Sequence, residues 1–241
     1  MRARFALPLF LLFAVVAAIA LAPASLVDTM TASGTQGRVR LADAVGTVWR
    51  GAGVLTDARG AWRVPVAWRA SPVALLRGAT DVELVPQGRI VANGGIDLRD
   101  VRISLPATLL ASILPAVPAV DAGGELTLDA PAFRYDGRTG DGALDLRWDR
   151  ARAVVNGTLV DLGNVVAHVV PQGPRLAGTV RNDGGMLRID GTVDASQNDV
   201  VVNATLTPTA TLPPPIAQAL AALGPRDGNG AVRVSWHSAL K

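Results

Sequence analysis

Residues 143–149 read Ala-Leu-Asp-Leu-Arg-Trp-Asp, and their alternation decides the fold. Leu144, Leu146 and Trp148 share one face of an extended chain, while Asp145, Arg147 and Asp149 share the other. Side chains along a strand point alternately to opposite faces, so this is a strand with one apolar and one wet face, as in antiparallel sheets. The pattern recurs on both sides. In Glu125–Asp129, Leu126 and Leu128 oppose Glu125, Thr127 and Asp129. Val101, Ile103 and Leu105 oppose Arg102 and Ser104, and within Met186–Asp190, Leu187 and Ile189 oppose Arg188 and Asp190. Further strands are expected at Arg63–Arg69, Asp81–Val85, Asn164–Val170, Leu176–Arg181, Val200–Thr207 and Ala231–Trp236. Glycine clusters at 93–95, 123–124, 183–185 and 227–230 are read as the breaks between strands, because glycine supplies the positive φ of tight hairpins.

Two outer segments carry apolar residues at helical spacing after a proline, Pro106–Leu114 and Pro215–Leu223, and a shorter turn is expected at Pro72–Arg77. Proline suits a helix start, where its missing N–H had no partner. Around these helices the chain repeats itself. Residues 94–128 run from Gly94-Gly95 through a strand and the Pro106 segment to Gly123-Gly124. Residues 184–234 run from Gly184-Gly185 through two strands and the Pro215 segment to Asp227-Gly228-Asn229-Gly230 and a last strand. A half-buried meander needs a cover on its apolar face, and one helix in each copy can supply it.

The N-terminus differs in kind. Arg2 and Arg4 precede Phe5–Val27, which holds no ionisable side chain. At about 1.5 Å per helical residue that run spans roughly 34 Å, against a hydrocarbon core of ~30 Å. The arginines place residues 1–4 in the cytoplasm, 5–27 in the membrane and 28–241 on the far side. A cleaved signal peptide is the competing reading, since Ala18, Ala20, Ala22 and Ala24 offer small-residue cleavage sites. The run is longer than the usual signal core, and Pro23 stands where a product cut after Ala22 would begin. The fold class expected is therefore mostly β: an antiparallel, curved, meander-type sheet with two or three short helices, preceded by one N-terminal transmembrane helix.

Composition narrows the function. There is no cysteine, which forbids disulfides, thiolate catalysis and cysteine-based zinc sites. Lysine occurs once, as Lys241, so no P-loop can form. The net charge is only +3, with arginines dispersed among acids, and no nucleic-acid partner is expected. The two histidines, His168 and His237, lie in expected strands without a second histidine at ligand spacing. Asp97 with Asp100, and Asp145 with Asp149, can be posed as catalytic carboxylate pairs, but 145, 147 and 149 share a wet face and form a charge ladder more simply. The Asp-Gly clusters at 136–142 and 227–230 lack the alternating acids and closing glutamate of a calcium loop, and read as hairpin turns. No catalytic, cofactor-binding or metal-binding residue is assigned, and the chain is not read as an enzyme. Trp49, between Gly46 and Gly51, is expected to anchor a turn, and Trp68 and Trp148 to lie in the core; Trp236 sits on the last strand.

What remains is a set of weak marks in a definite order. Gly46-Thr47-Val48-Trp49-Arg50-Gly51 precedes Val66-Ala67-Trp68-Arg69, then Pro72, Leu75, Leu76 and Gly78. Gly123-Gly124-Glu125-Leu126-Thr127-Leu128 and Leu144-Asp145-Leu146-Arg147-Trp148 follow. Leu162-Gly163-Asn164-Val165, Asp183-Gly184-Gly185-Met186-Leu187, Leu206-Thr207-Pro208 and Leu220-Ala221-Ala222-Leu223-Gly224 complete the series. In this order the chain resembles protein N of the bacterial type II secretion system (general secretion pathway protein N). The resemblance implies an accessory inner-membrane component with a periplasmic β domain. It would support passage of folded proteins from the periplasm across the outer membrane through contacts with inner-membrane platform proteins and the outer-membrane secretin. The alternative is a lipid-handling β groove of the AsmA type. That reading requires a continuous apolar groove left uncovered by the Pro106 and Pro215 helices; a scaffold requires that face to be closed.

Overall fold

The computed structural model describes residues 19–85, 87–109, 121–155, 157–196 and 199–239. The greater part of the expected membrane segment, 5–18, lies outside the described residues, and no described helix is long and apolar enough to cross a membrane. The chain divides into two compact units after residue 86, and both are antiparallel sheets.

Unit 1 runs α1 (Ser25–Gly34), β1 (Val39–Gly46), β2 (Arg50–Asp57), β3 (Arg63–Ala70), α2 (Pro72–Leu76) and β4 (Thr80–Leu84), with the strands side by side in chain order. β1, β2 and α1 are additions to the sequence reading. The alternation of β1 is broken by a bulge between Ala42 and Val45, with Asp43 at φ +54°. β2 is Arg-Gly-Ala-Gly-Val-Leu-Thr-Asp, whose glycines remove the apolar marks of a strand. Those glycines make room for neighbours: a Cβ on Gly51 would lie 2.4 Å from the Trp68 ring. α2 begins as expected at Pro72, capped by the Ser71 hydroxyl, which accepts a bond from the Ala74 N–H. The core gathers Ala24, Leu41 and Trp68, with Val27, Leu55, Val66, Val82 and Leu84 packed on it. Ala24 is 1% exposed, so the folded unit begins inside the stretch 5–27 that sequence assigned to the membrane.

Unit 2 holds β5 (Gly88–Ala92), β6 (Ile96–Pro106), β7 (Asp121–Tyr135), β8 (Gly140–Gly142), β9 (Leu144–Val155), β10 (Thr158–Gln172), β11 (Arg175–Asp183), β12 (Leu187–Ala195), β13 (Asp199–Pro208), α3 (Pro214–Leu223) and β14 (Val232–Ala239). The order across the sheet is β5-β6-β7-β9-β10-β11-β12-β13-β14, with β8 pairing β7 as a side branch. This is the expected meander, with strands longer than the alternation alone marked. Bulges explain the extra length. Along β9 the apolar face passes through Leu144, Leu146 and Trp148, then Ala151 and Ala153. The jump of three falls at Arg150, held at φ +50°. An extra residue there leaves the following side chains on the face they would otherwise lose.

The same device corrects one sequence boundary. Gly123-Gly124 is not a break between strands but lies inside β7, where the register shifts between Gly123 and Glu125. Gly124 takes φ +106°, and a Cβ on it would meet the Asp149 carbonyl oxygen at 2.5 Å. Gly163 on β10 repeats the arrangement against the Asp183 carbonyl, so a line of bulges crosses β7, β9 and β10. Pro106 is a second correction: it ends β6 instead of opening a helix, and 110–114 lie outside the described residues. The returns of the two repeat copies therefore differ, a bulge inside β7 against the turn at 227–230 before β14.

α3 fulfils its expected role. Ile216 and Leu220, each 3% exposed, pack on Val160, Leu187 and Val232 of the sheet. A second cluster joins Leu98, Val101, Ala130 and Phe133 on β6 and β7. A third joins Ala107, Ala122 and Leu126, with Trp148 packed on it.

Candidate functional site

The wet face carries ladders of charge. His168 Nδ1 lies 2.7 Å from Asp145 Oδ1, directly across the β9–β10 register, and both side chains are about half exposed. Asp145 is thus engaged with His168 and is not paired with Asp149. Asp97 takes a two-pronged bond from Arg99, at 3.0 and 2.7 Å, which holds its carboxyl below the usual range. Asp100 lies within β6 at φ +52°, while the Asp97 carboxylate is taken up by Arg99. His237 sits 3.6 Å from Asp199, whose carboxyl is held low chiefly by the Ser196 hydroxyl. Exposed pairs of this kind add little to stability, because solvent screens them.

The Asp-Gly clusters are turns by geometry. Asp136 accepts the N–H groups of Arg138 and Thr139 at 2.8 and 2.7 Å, and these bonds lower its pKa. Asp227 accepts those of Asn229 and Ala231, both at 2.9 Å. The carboxylates are spent on backbone donors. No group of three or more potential metal ligands occurs among the described residues. An open groove of about 610 Å³ crosses the wet face of β11–β14, lined by Arg181, Asp190, Thr192, Asn203, Thr205 and Arg233.

The tryptophans act as clamps. Trp68 is 7% exposed and donates to the Val48 carbonyl at 3.1 Å. Trp148 is half-buried and donates to Gly123 at 2.9 Å, across the bulge. Trp49 holds the incoming chain, donating to the Ile19 carbonyl at 2.8 Å. Trp236 is 43% exposed. Trp62, which no pattern singled out, is 4% exposed just before β3.

The sheet margins are treated unequally. β1 is guarded by α1. Asp28 accepts the Leu41 N–H at 2.8 Å, and the Thr35 hydroxyl accepts the Val39 N–H at 3.1 Å, so side chains occupy donors of the outer strand. The bulge at Asp43 then breaks the edge. Such devices are how proteins blunt an edge against pairing with another chain. β14 is covered only at its start, where Val232 bridges Arg226. Along Val232–Ala239 it pairs with β13 on one side, and among the described residues no strand flanks it on the other.

A family model described as type II secretion system (T2SS), protein N, matches residues 37–235, from just before β1 to within β14. The chain belongs to the type II secretion system protein N family. Membership makes it a component of that protein-transport machinery. No curated protein and no solved structure matches the chain. The tryptophan turn at 47–49, the bulge glycines of β7 and β10 and the α3 cover are the structural content of the marks that carried the resemblance.

Proposed function

We propose that this member of the family is an accessory inner-membrane component of the secretion system, anchored by its N-terminal apolar run. It would support transport of folded proteins by binding other components through the outer edge of β14. The observation that carries this is the difference between the margins: α1 occupies the edge of β1, while among the described residues no strand meets the edge of β14 beyond Val232. An extended segment of a platform protein or of the secretin can add there as one more strand, with main-chain bonds giving affinity. The attachments of the incoming chain favour an anchor kept in place. Ile19 and Ala22 supply carbonyls to Trp49 and to the Val48 N–H, and cleavage after Ala22 would remove both acceptors.

The test is site-specific photo-crosslinking in cells with the assembled machinery. A crosslinker at Ser235 or His237 should yield adducts with other secretion components, while one at Arg40 on β1 should not. Secretion at full rate with no adduct from β14 would sink the edge as the docking site.

The lipid-handling reading keeps one observation in its favour. α3 covers the sheet around Val160, Leu187 and Val232, but on the same apolar face Leu146 is 36% and Trp236 43% exposed. If acyl chains lie there, phospholipid should co-purify with the protein and be lost on Leu146→Arg; equal lipid in both would dismiss it.

A further inference from the structure

The way the chain enters unit 1 says how the unit is held. Pro23 bridges Thr47, Val48 donates to the Ala22 carbonyl at 2.9 Å, and Ala24 donates to the Gly46 carbonyl at 3.1 Å. The Trp49 side chain reaches back to Ile19. From Ile19 onward the chain is therefore bonded to the β1–β2 turn, with no slack between the apolar run and the sheet. With Ile19–Val27 bonded to the folded unit, the apolar run before them is 5–18, 14 residues or about 21 Å if helical against a ~30 Å core, so a bilayer that holds it draws Ile19–Leu21 and this end of unit 1 to its surface. No residues are left for a linker.

The end of unit 1 where this happens is apolar. Ala70 donates to the Trp49 carbonyl at 2.7 Å, which brings the start of α2 to the same end as the 47–49 turn. There Ile19 is 55% exposed, Leu21 73%, Val73 53%, Leu75 59% and Leu76 89%. A five-residue helix that turns three large apolar side chains to solvent is badly placed in water. Arg50 and Arg77 are exposed at the same end, as is Arg69, the cross-strand partner of Arg50, which also pairs with Glu83 at 3.5 Å. Apolar tips ringed by arginines with a tryptophan among them match a membrane interface: apolar groups enter the acyl boundary, the indole sits at headgroup level, and guanidinium groups meet phosphates.

We propose that unit 1 is seated directly on the outer leaflet of the inner membrane, with the α2 tip and the Ile19–Leu21 segment in the interface. The occupant of this surface is the anionic bilayer surface, not a protein. The inference rests on the anchored reading given above. It adds that the unit is fixed against the membrane instead of swinging on a tether, so the orientation of its sheet is set by the bilayer.

The chain has no cysteine, so one introduced residue can be labelled alone. Full-length Leu76→Cys and Arg59→Cys, the latter at the opposite, 57–62 end of the strands, would carry a nitroxide in vesicles of phosphatidylethanolamine and phosphatidylglycerol. Flotation with the vesicles reports the anchor; collision with oxygen against a water-soluble nickel complex reports the seat. Label 76 should favour oxygen and label 59 nickel. Flotation with label 76 as open to nickel as label 59 overturns the seat and leaves the anchor standing. Failure to float overturns the anchor and the seat with it. Leu75→Glu with Leu76→Glu should also shift a label at Val73→Cys toward the aqueous value; an unchanged label there counts against the seat.

Discussion

Asp28 on α1 receives Arg40 of β1 in a two-pronged bond, at 2.9 and 2.6 Å, and accepts the backbone N–H of Leu41 with the same carboxylate. One side chain thereby ties the first helix to the sheet and occupies a donor on the sheet's edge.

This pair makes unit 1 sensitive to acid. The Arg40 bond, followed by the Leu41 N–H, lowers the Asp28 pKa from 3.8 to about 2. A carboxyl with a depressed folded pKa contributes stability that is complete above its unfolded value and is lost as pH falls through the folded one. Melting temperature should therefore fall between pH near 4 and pH near 2, and Asp28→Asn should flatten the curve in that window. Asp28→Ala at neutral pH should cost about 1–3 kcal/mol, since it orphans the Leu41 N–H. Thermal unfolding across that window checks both, and an identical acid slope in Asp28→Asn would refute the assignment.

Gly51 and Trp68 should behave as one unit. Trp68→Ala should cost about 3–5 kcal/mol, because the ring is buried against Ala24 and Leu41. Gly51→Ala should also destabilise, since its methyl would lie 2.4 Å from the ring. In the Trp68→Ala background the second change should cost less, though the Val45 carbonyl at 2.8 Å keeps some of the penalty. A double-mutant cycle by chemical denaturation measures the coupling; strict additivity would contradict the contact.

The α3 cover should be selective by face. Ile216→Ala should cost about 2–5 kcal/mol, and Leu223→Ala, 54% exposed, should stay within about 0.5 kcal/mol. Equal losses in denaturant midpoint would overturn the packing of the helix.

Secretion should not hinge on one polar group. His168→Ala, His237→Ala and Asp145→Ala should each leave export of folded proteins near normal at matched protein levels, which must be checked because a destabilised chain is degraded. Removing residues 2–18, which keeps the Ile19 and Ala22 carbonyls bonded to Trp49 and Val48, and exporting the rest with a cleavable signal should weaken secretion more, since the anchor holds the domain at high effective concentration beside its membrane partners. A folded, abundant point variant without secretion would demand a chemical site at that residue.

Topology is checked by fusion and fractionation. A reporter that works only in the periplasm, joined after Lys241, should be active, and the protein should resist alkaline washing from the membrane. A mature chain beginning at Pro23 or Ser25 in the soluble fraction would reject the anchor.

The sequence by itself determined the class of the fold. Alternation at Leu144-Asp145-Leu146-Arg147-Trp148, repeated along the chain, requires half-buried antiparallel strands, because period two is a property of any extended backbone. Prolines and apolar spacing located α2 and α3 for equally local reasons. What only the tertiary structure decided depends on partners distant in sequence. The glycines of β2 hide a strand until Trp68 is seen filling the space above Gly51. Gly124 reads as a turn until the Asp149 carbonyl is found against it, 25 residues away and on another strand. Asp28 is merely the first charge after an apolar run until Arg40 and Leu41 close on it. That no described strand flanks the outer side of β14 has no sequence mark, because what makes a strand an edge is the neighbour it lacks.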